Sequence, residues 1–337
     1  MRNSASKRGI TFKKLASMRE MILLVIIVVL FAGMSVSSKY FLTPQNMKNL
    51  LMSFTVEGII AIGMLLLLVQ GGIDLSAGAN MAFTGVVFGL FCTRSGLPYG
   101  VCFALGLCVG LAVGLCNGFL IAFMGLNALI TTLGTSMTFN GLMMMLTKGK
   151  AIAIPTAVKP LGQGTFLHIQ YPVYILLALV VVFEILLRKM RIVRTSYYVG
   201  GNENAARLNG INVRMVKLSG YAITGILAGL TGIVLSARLS TASVTVGGDT
   251  ALRVITACII GGASLIGGEG TILGAFFGVV FMQLVSSSLN ILGVDVYVKT
   301  FVTGLILVAA IMVDMLNERR KVIKMAADAQ KQLDAAA

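Results

Sequence analysis

A single histidine, His168, is the whole supply of the side chain most used for metal ligation and proton relay. One histidine makes neither a metal site nor a relay. The five cysteines, Cys92, Cys102, Cys108, Cys116 and Cys258, have no metal-ligand or disulfide spacing and all fall in apolar runs, so they read as small packing residues. No G-x-x-x-x-G-K-[ST] phosphate loop occurs; Gly149, Lys150 and Ala151 carry only a fragment of one. The G-x-S-x-G elbow and the H-E-x-x-H zinc pattern are missing as well. The chain therefore has no recognisable means of hydrolysing a nucleotide or building a nucleophile. It reads as a non-enzyme that binds no cofactor or metal of its own. If it moves a solute uphill, the energy comes from another chain or from an ion gradient.

Charge is scarce too. Only 12% of the 337 residues are charged, about half the share of an ordinary soluble domain, and 57% are hydrophobic. The apolar residues form blocks, such as MILLVIIVVLFAGMSVS (21–37) and YILLALVVVFEILL (174–187), and mean hydropathy is +0.93. A helix needs about 20 apolar residues to cross the hydrocarbon core. The fold class is therefore all-α, a polytopic membrane protein occupying 1–337 as a single transmembrane domain. The expected spans are 19–38, 52–70, 77–93, 98–122, 127–146, 171–187, 215–236, 252–266, 270–292 and 296–315, about ten in all. The short eighth segment suits either a crossing or a re-entrant hairpin. The basic start followed by an apolar run has the look of a signal peptide, but it lacks a clear small-residue cleavage site, which favours an uncleaved first helix.

The net charge of +15 is distributed as topology rather than as a nucleic-acid footprint. Six Lys/Arg lie in 1–19, up to the first residue of the first span, seven lie in 188–217 and five follow the last span. With ten spans all three clusters share one face, the cytoplasm. This makes 1–18 a cytoplasmic N-terminus, 188–214 a cytoplasmic loop and 316–337 a cytoplasmic tail. The Gly/Pro-rich stretch 147–170, which holds His168, then lies outside and suits either a docking surface or an ordinary loop.

The two halves echo each other. GGIDLSAG (71–78) and GGASLIGG (261–268) align at an offset of 190, each ending one apolar span and starting the next. Paired helix breaks at Gly71–Gly72 and Gly261–Gly262 point to a transport pathway. Gly106, Gly110, Gly114 and Gly118 make a smooth stripe on one helix face, where another backbone can approach closely. Of the acids, Glu57, Asp74 and Glu184 lie in or beside spans, and no basic partner is apparent for any of them.

In YYVGGNENAARLNGINV (197–213), Asn202 is a candidate N-cap and Gly210 a candidate left-handed C-cap. Glu203 to Asn209 would then form about two helical turns. Ala205 and Ala206 leave room for close approach, and Leu208 and Ile211 can fill an apolar socket.

These segments, with TLGTSMTFNGLMMMLTKG (132–149) and GGASLIGGEGTILGAFFG (261–278), resemble the membrane permeases of bacterial ATP-binding-cassette importers for monosaccharides, the ribose/galactose/xylose type. The resemblance runs across nearly the whole chain. It implies a cell inner membrane location, cytoplasmic ATPase subunits that bind the ATP, an extracytoplasmic sugar-binding protein and a second permease subunit, identical or related. It also makes Asn202, Glu203, Ala205, Ala206, Arg207, Leu208 and Gly210 the ATPase-coupling element. Two departures stand out. Asn204 takes the place where the importer motif favours glutamate, and Arg253 replaces an acid of the ribose-type E-L-D-A-I-A run. Ribose is therefore not assigned, and nucleosides or a sugar-like signal molecule remain alternatives, with an ion-coupled secondary carrier as the different-class rival.

An ionised carboxylate at the bilayer centre costs roughly 3 kcal/mol or more. Asp74 becomes tolerable if the glycine pair ends one helix and Asp74 caps the next, accepting N–H bonds near Ser76 and Ala77. It should then line or support the path, by capping or by touching substrate. The other candidate path groups are Gln70, Asn80, Asn127, Thr131, Thr132, Asn140, Gln283 and Asn290, each of which could instead be an interhelical hydrogen bond.

Overall fold

A computed structural model describes residues 5–334; residues 1–4 of the N-terminal segment and 335–337 of the tail lie outside the described residues. The described residues are predominantly helical, with four two-residue strands. The first half comprises α1 (Ala5–Ser37), α2 (Pro44–Val69), α3 (Ala77–Arg94), α4 (Tyr99–Ala122) and α5 (Ala128–Thr147). A connection follows with β1 (Ile152–Ala153), a 3-10 turn (Thr156–Val158), α6 (Pro160–Gln163), β2 (Thr165–Phe166) and β3 (Ile169–Gln170). Next come α7 (Tyr171–Lys189), α8 (Arg191–Gly201), α9 (Glu203–Leu208), α10 (Val213–Leu239), β4 (Thr241–Ala242), α11 (Thr250–Ile260), α12 (Ile272–Ile291) and α13 (Val296–Asp334).

Nine of the ten expected spans coincide with a helix, and the eighth, 252–266, does so only as far as Ile260. Among the described residues seven helices are long and apolar enough to cross a membrane. The apolar part of α7 (Tyr171–Leu187) and α11 are shorter, and α3 carries Asn80, Thr84 and Arg94 within 18 residues. The eighth segment is not the span 252–266. Its 11 residues rise roughly 16 Å, about half the hydrocarbon thickness. The helix stops because Gly262 adopts a left-handed φ of 97°.

The two glycine pairs do the same job one residue out of step. At the end of α2, Gly71 (φ 74°) donates its N–H to Leu68 O, and Gly72 N–H reaches Leu67 O. At the end of α11 the same pair of bonds runs from Gly262 to Ile259 O and from Ala263 to Cys258 O. Both are left-handed helix stops of the Schellman type. Backbone geometry therefore equates Gly71 with Gly262, an offset of 191 and not the 190 of the sequence identities. The helices before the stops also run in the same direction, since Glu57 and Ala61 of α2 meet Arg253 and Cys258 of α11 in order.

Helix α10 is central and packs on α2, α3 and α4. Its contact with α4 is backbone on backbone. A side chain at Gly114 would meet the Gly225 Cα at 2.9 Å, and one at Gly110 would meet the Gly229 Cα at 2.9 Å. Caps fix the helix starts: Thr43 accepts from Asn46 N–H, Asn212 from Met215 N–H, and Thr271 from Gly274 N–H. The connection 148–170 folds back onto the end of α10. Gln163 Nε2 donates to Arg238 O at 2.7 Å, β1 pairs with β4, and exposed His168 occupies the tip of the β2–β3 hairpin.

Candidate functional site

A cavity of about 760 Å³ opens between α2, α11, α12 and α13. It runs from the middle of α2 to the end that carries Asn46, Asn290 and Val296, opposite the end that carries α8 and α9. Glu57 lies thirteen residues from Pro44 and twelve from Val69, roughly 20 Å from either end of α2. It is buried, and its Oε1 accepts from Arg253 Nε at 2.7 Å. The paired charges make that depth tolerable, because a lone carboxylate there would lose its hydration without compensation. The acid without an apparent partner in the sequence thus has one, 196 residues away. Above the pair, Lys299 Nζ donates to Asn290 Oδ1 at 3.2 Å, Arg238 reaches Asn49 Oδ1 at 3.5 Å, and Ser287 donates to Asn46 Oδ1 at 3.4 Å. Gln283, Thr300 and Thr303 add further polar groups, and among the described residues no aromatic side chain lines the walls.

Asp74 is elsewhere. It is buried in the loop between α2 and α3, where Oδ1 accepts from Ser76 N–H at 2.8 Å and Ser76 Oγ at 2.6 Å. Asp74 is not the cap of α3, whose N-cap is Ser76 without a side-chain cap bond, and Ala77 does not donate to it; Asp74 instead closes the turn onto Ser76 two residues on. The loop is tied down on every side. Asn117 Nδ2 donates to Ser76 Oγ at 2.7 Å, Tyr221 Oη to Ile73 O at 2.9 Å, and Leu75 N–H to Thr132 Oγ1 at 3.1 Å. Asp74→Ala removes both acceptor bonds in a buried turn and is expected to cost about 1–3 kcal/mol of stability. Asp74→Asn keeps an oxygen for the Ser76 N–H and should lose much less. Thermal unfolding in detergent, read beside uptake, checks the pair; an Asp74→Ala variant as stable as the parent would mean that Asp74 does not hold the turn.

The connection 188–214 is almost entirely helical. In α9, Asn202 accepts from Ala205 N–H at 2.9 Å, and Gly210 takes φ 78° just after the helix. Ala206 is buried with Val199 and Val213, and Ile211 packs against them. Ala205 and Leu208 face outward, Leu208 being 90% exposed. Glu203 bridges Arg207 at 2.6 Å and Lys217 at 2.7 Å, and its carboxyl is held below the usual range, chiefly by the Lys217 hydrogen bond. Helix α8, absent from the sequence reading, joins α9 to both glycine stops. Gln70 Nε2 donates to Ser196 Oγ at 3.0 Å, Tyr197 Oη donates to Gly270 O at 2.7 Å, and Gly268 N–H reaches Val69 O at 2.9 Å.

Residues 46–311 match the family model described as branched-chain amino acid transport system / permease component. The chain belongs to this family of permeases. The permease is 37% identical over 302 residues to the L-arabinose ABC transporter permease protein AraH of Azospirillum brasilense, covering 88% of both chains. It is also 37% identical over 306 residues to the ribose import permease protein RbsC of Bacillus subtilis, covering 90% of this chain and 92% of the relative. Against the L-arabinose transport system permease protein AraH of Escherichia coli K12 the identity is 35% over 301 residues, with 89% and 91% covered. The protein is thus a multi-pass membrane permease, the transport component and not an ATPase.

Of the path residues expected from the permease's sequence, the cavity gathers only Gln283 and Asn290. Asn80 ties three helices together, donating to Gly110 O at 3.2 Å and Gly225 O at 3.3 Å while accepting from Thr84. Asn127 caps α5 and receives Leu129 and Ile130 N–H, and Thr131 Oγ1 donates to Asn127 O at 2.7 Å. Asn140 is half-buried on α5, outside the cavity. Among the charged residues of the cavity, the sequence reading did not place Arg253, Lys299 or Arg238 on the path. The one available signal was the arginine standing where the resemblance expects an acid.

Proposed function

We propose that this permease forms the translocation path of an ATP-binding-cassette importer for a monosaccharide. An external binding protein delivers the sugar and separate ATPase subunits drive transport. The observation that carries this reading is the match over about 90% of both chains to permeases named for arabinose and ribose. The cavity suits it: amide, hydroxyl and charged groups line a space large enough for one sugar, in keeping with a site fixed by a few placed polar groups. The end carrying α8 and α9 is then cytoplasmic, together with both termini, and the cavity faces outward in a bacterial inner membrane. Helix α9 acts as the ATPase-coupling element. Because α8 touches both glycine stops, a push on α9 reaches α2–α3 and α11–α12 together. A second permease subunit completes the pathway.

One observation favours a second reading: a buried acid with a basic partner is what ion-coupled carriers use. Proteoliposomes separate the two. With its ATPase and binding protein, the permease is expected to import arabinose or ribose, and not leucine, only when ATP is inside the ATPase compartment. Uptake by the permease alone under a proton or sodium gradient would overturn the proposal.

A further inference from the structure

The cavity ends on a carboxylate with an unused oxygen. Glu57 is 4% exposed; Arg253 occupies its Oε1, while Oε2 is buried without a hydrogen-bond partner. Four buried side-chain atoms among the described residues lack a partner, and Glu57 Oε2 is the one that belongs to a cavity residue. An ionised carboxylate has room for about four hydrogen bonds, so strong acceptor capacity is left over where the cavity meets the middle of the membrane. Beside it the Arg253 guanidinium is partly exposed. Its Nε is spent on Glu57, its NH2 reaches Thr250 Oγ1 at 3.3 Å, and its NH1 is a loose 3.9 Å from Asp249. A charged acceptor and a charged donor thus stand side by side. That pair matches a vicinal diol, in which each hydroxyl both donates and accepts.

We propose that Glu57 and Arg253 form a hydroxyl-reading site inside the permease. Glu57 Oε2 accepts from one hydroxyl of the sugar, and the guanidinium donates to the adjacent one. The proposal rests on the monosaccharide reading and adds a filter that the permease itself applies after the binding protein has released its cargo. Without an aromatic platform the sugar is read by polar contacts and is not held by stacking, which suits a site that must let go. A sugar lacking either hydroxyl leaves a buried charged group unmatched, the situation in which sites discriminate most strongly.

The test uses the complete transporter in proteoliposomes, with ATP-dependent uptake of the parent pentose and each of its monodeoxy analogues at saturating loaded binding protein. The wild type is expected to import one or two analogues at least about tenfold more slowly than the parent. Glu57→Gln should slow the parent roughly tenfold and shrink the spread among analogues to about twofold, because a neutral amide replaces the charged acceptor. The double variant Glu57→Leu/Arg253→Met removes both charges together, so no buried charge is left unpaired, and it should show the same loss of discrimination. A purely structural ion pair predicts equal slowing of every sugar with the spread unchanged in both variants, and that result overturns the site. If the wild type imports no sugar at all, the monosaccharide reading falls and takes the site with it. If it imports sugars and discrimination survives both variants, the site alone falls.

Discussion

Leu208→Asp and Ala205→Trp are each expected to cut ATP-dependent uptake more than tenfold while leaving the isolated permease folded. Leu208 is 90% exposed at the tip of a six-residue helix, so replacing it removes almost no internal packing. The helix is nonetheless rigidly mounted. Asn202 caps its start, Glu203 is clamped by Arg207 and Lys217, and Ala206 is buried under Val199 and Val213. A small helix anchored on one face, with a bare leucine and an alanine on the other, is shaped to enter a partner's cleft. Burying a leucine there stabilises the contact by about 1.5–3 kcal/mol, or roughly ten- to a hundredfold in affinity. Aspartate forfeits that and must also be desolvated. Tryptophan at Ala205 blocks the close approach. The measurement is sugar imported per ATP hydrolysed in proteoliposomes, with the thermal midpoint of the permease as control. Normal coupling with normal insertion would remove α9 from the transmission.

Helix α9 was legible because its signals are local. Asn202 and Gly210 bond to backbone groups three residues away, and the expected helix ends one residue from the observed one. The spans were legible for the same reason, since hydropathy is a property of consecutive residues. The cavity was not. Glu57 and Arg253 are brought together by the packing of α2 on α11, and nothing in either stretch encodes the other's position. Polarity within a span did not point to the cavity: Asn80 bonds to two neighbouring helices, Gln70 Nε2 to Ser196 on α8, and Thr132 Oγ1 to the Leu75 N–H of the α2–α3 loop. Helix α8 escaped because basic residues at 188–194 marked topology and hid the buried positions Ser196 and Val199. The half-length α11 followed from its glycine stop, but which of the two glycines turns left-handed is decided by backbone geometry and not by identity.

Gly225→Leu and Gly114→Leu are expected to prevent the permease from accumulating in folded form. At the α4–α10 crossing each glycine faces the other helix's backbone: a Cβ on Gly225 meets the Gly114 Cα at 2.7 Å, and one on Gly114 meets the Gly225 Cα at 2.9 Å. A side chain can rotate away from an intruder, but a backbone can yield only if the helices separate. Separation also costs the Asn80 bonds to Gly110 O and Gly225 O, whose carbonyls are reachable because no side chain covers them. Even Gly225→Ala should therefore cost about 1–3 kcal/mol, the usual range for overpacking a tight contact. Gly33→Ala on α1, where nothing lies within 4 Å, should stay within about 0.5 kcal/mol of the parent. Comparing unfolding midpoints of the two alanine variants in detergent isolates the crossing from any general penalty on replacing glycine in a helix. Equal midpoints would mean that the stripe is not what holds α4 against α10, and that the central helix is fixed by its contacts with α2 and α3 instead.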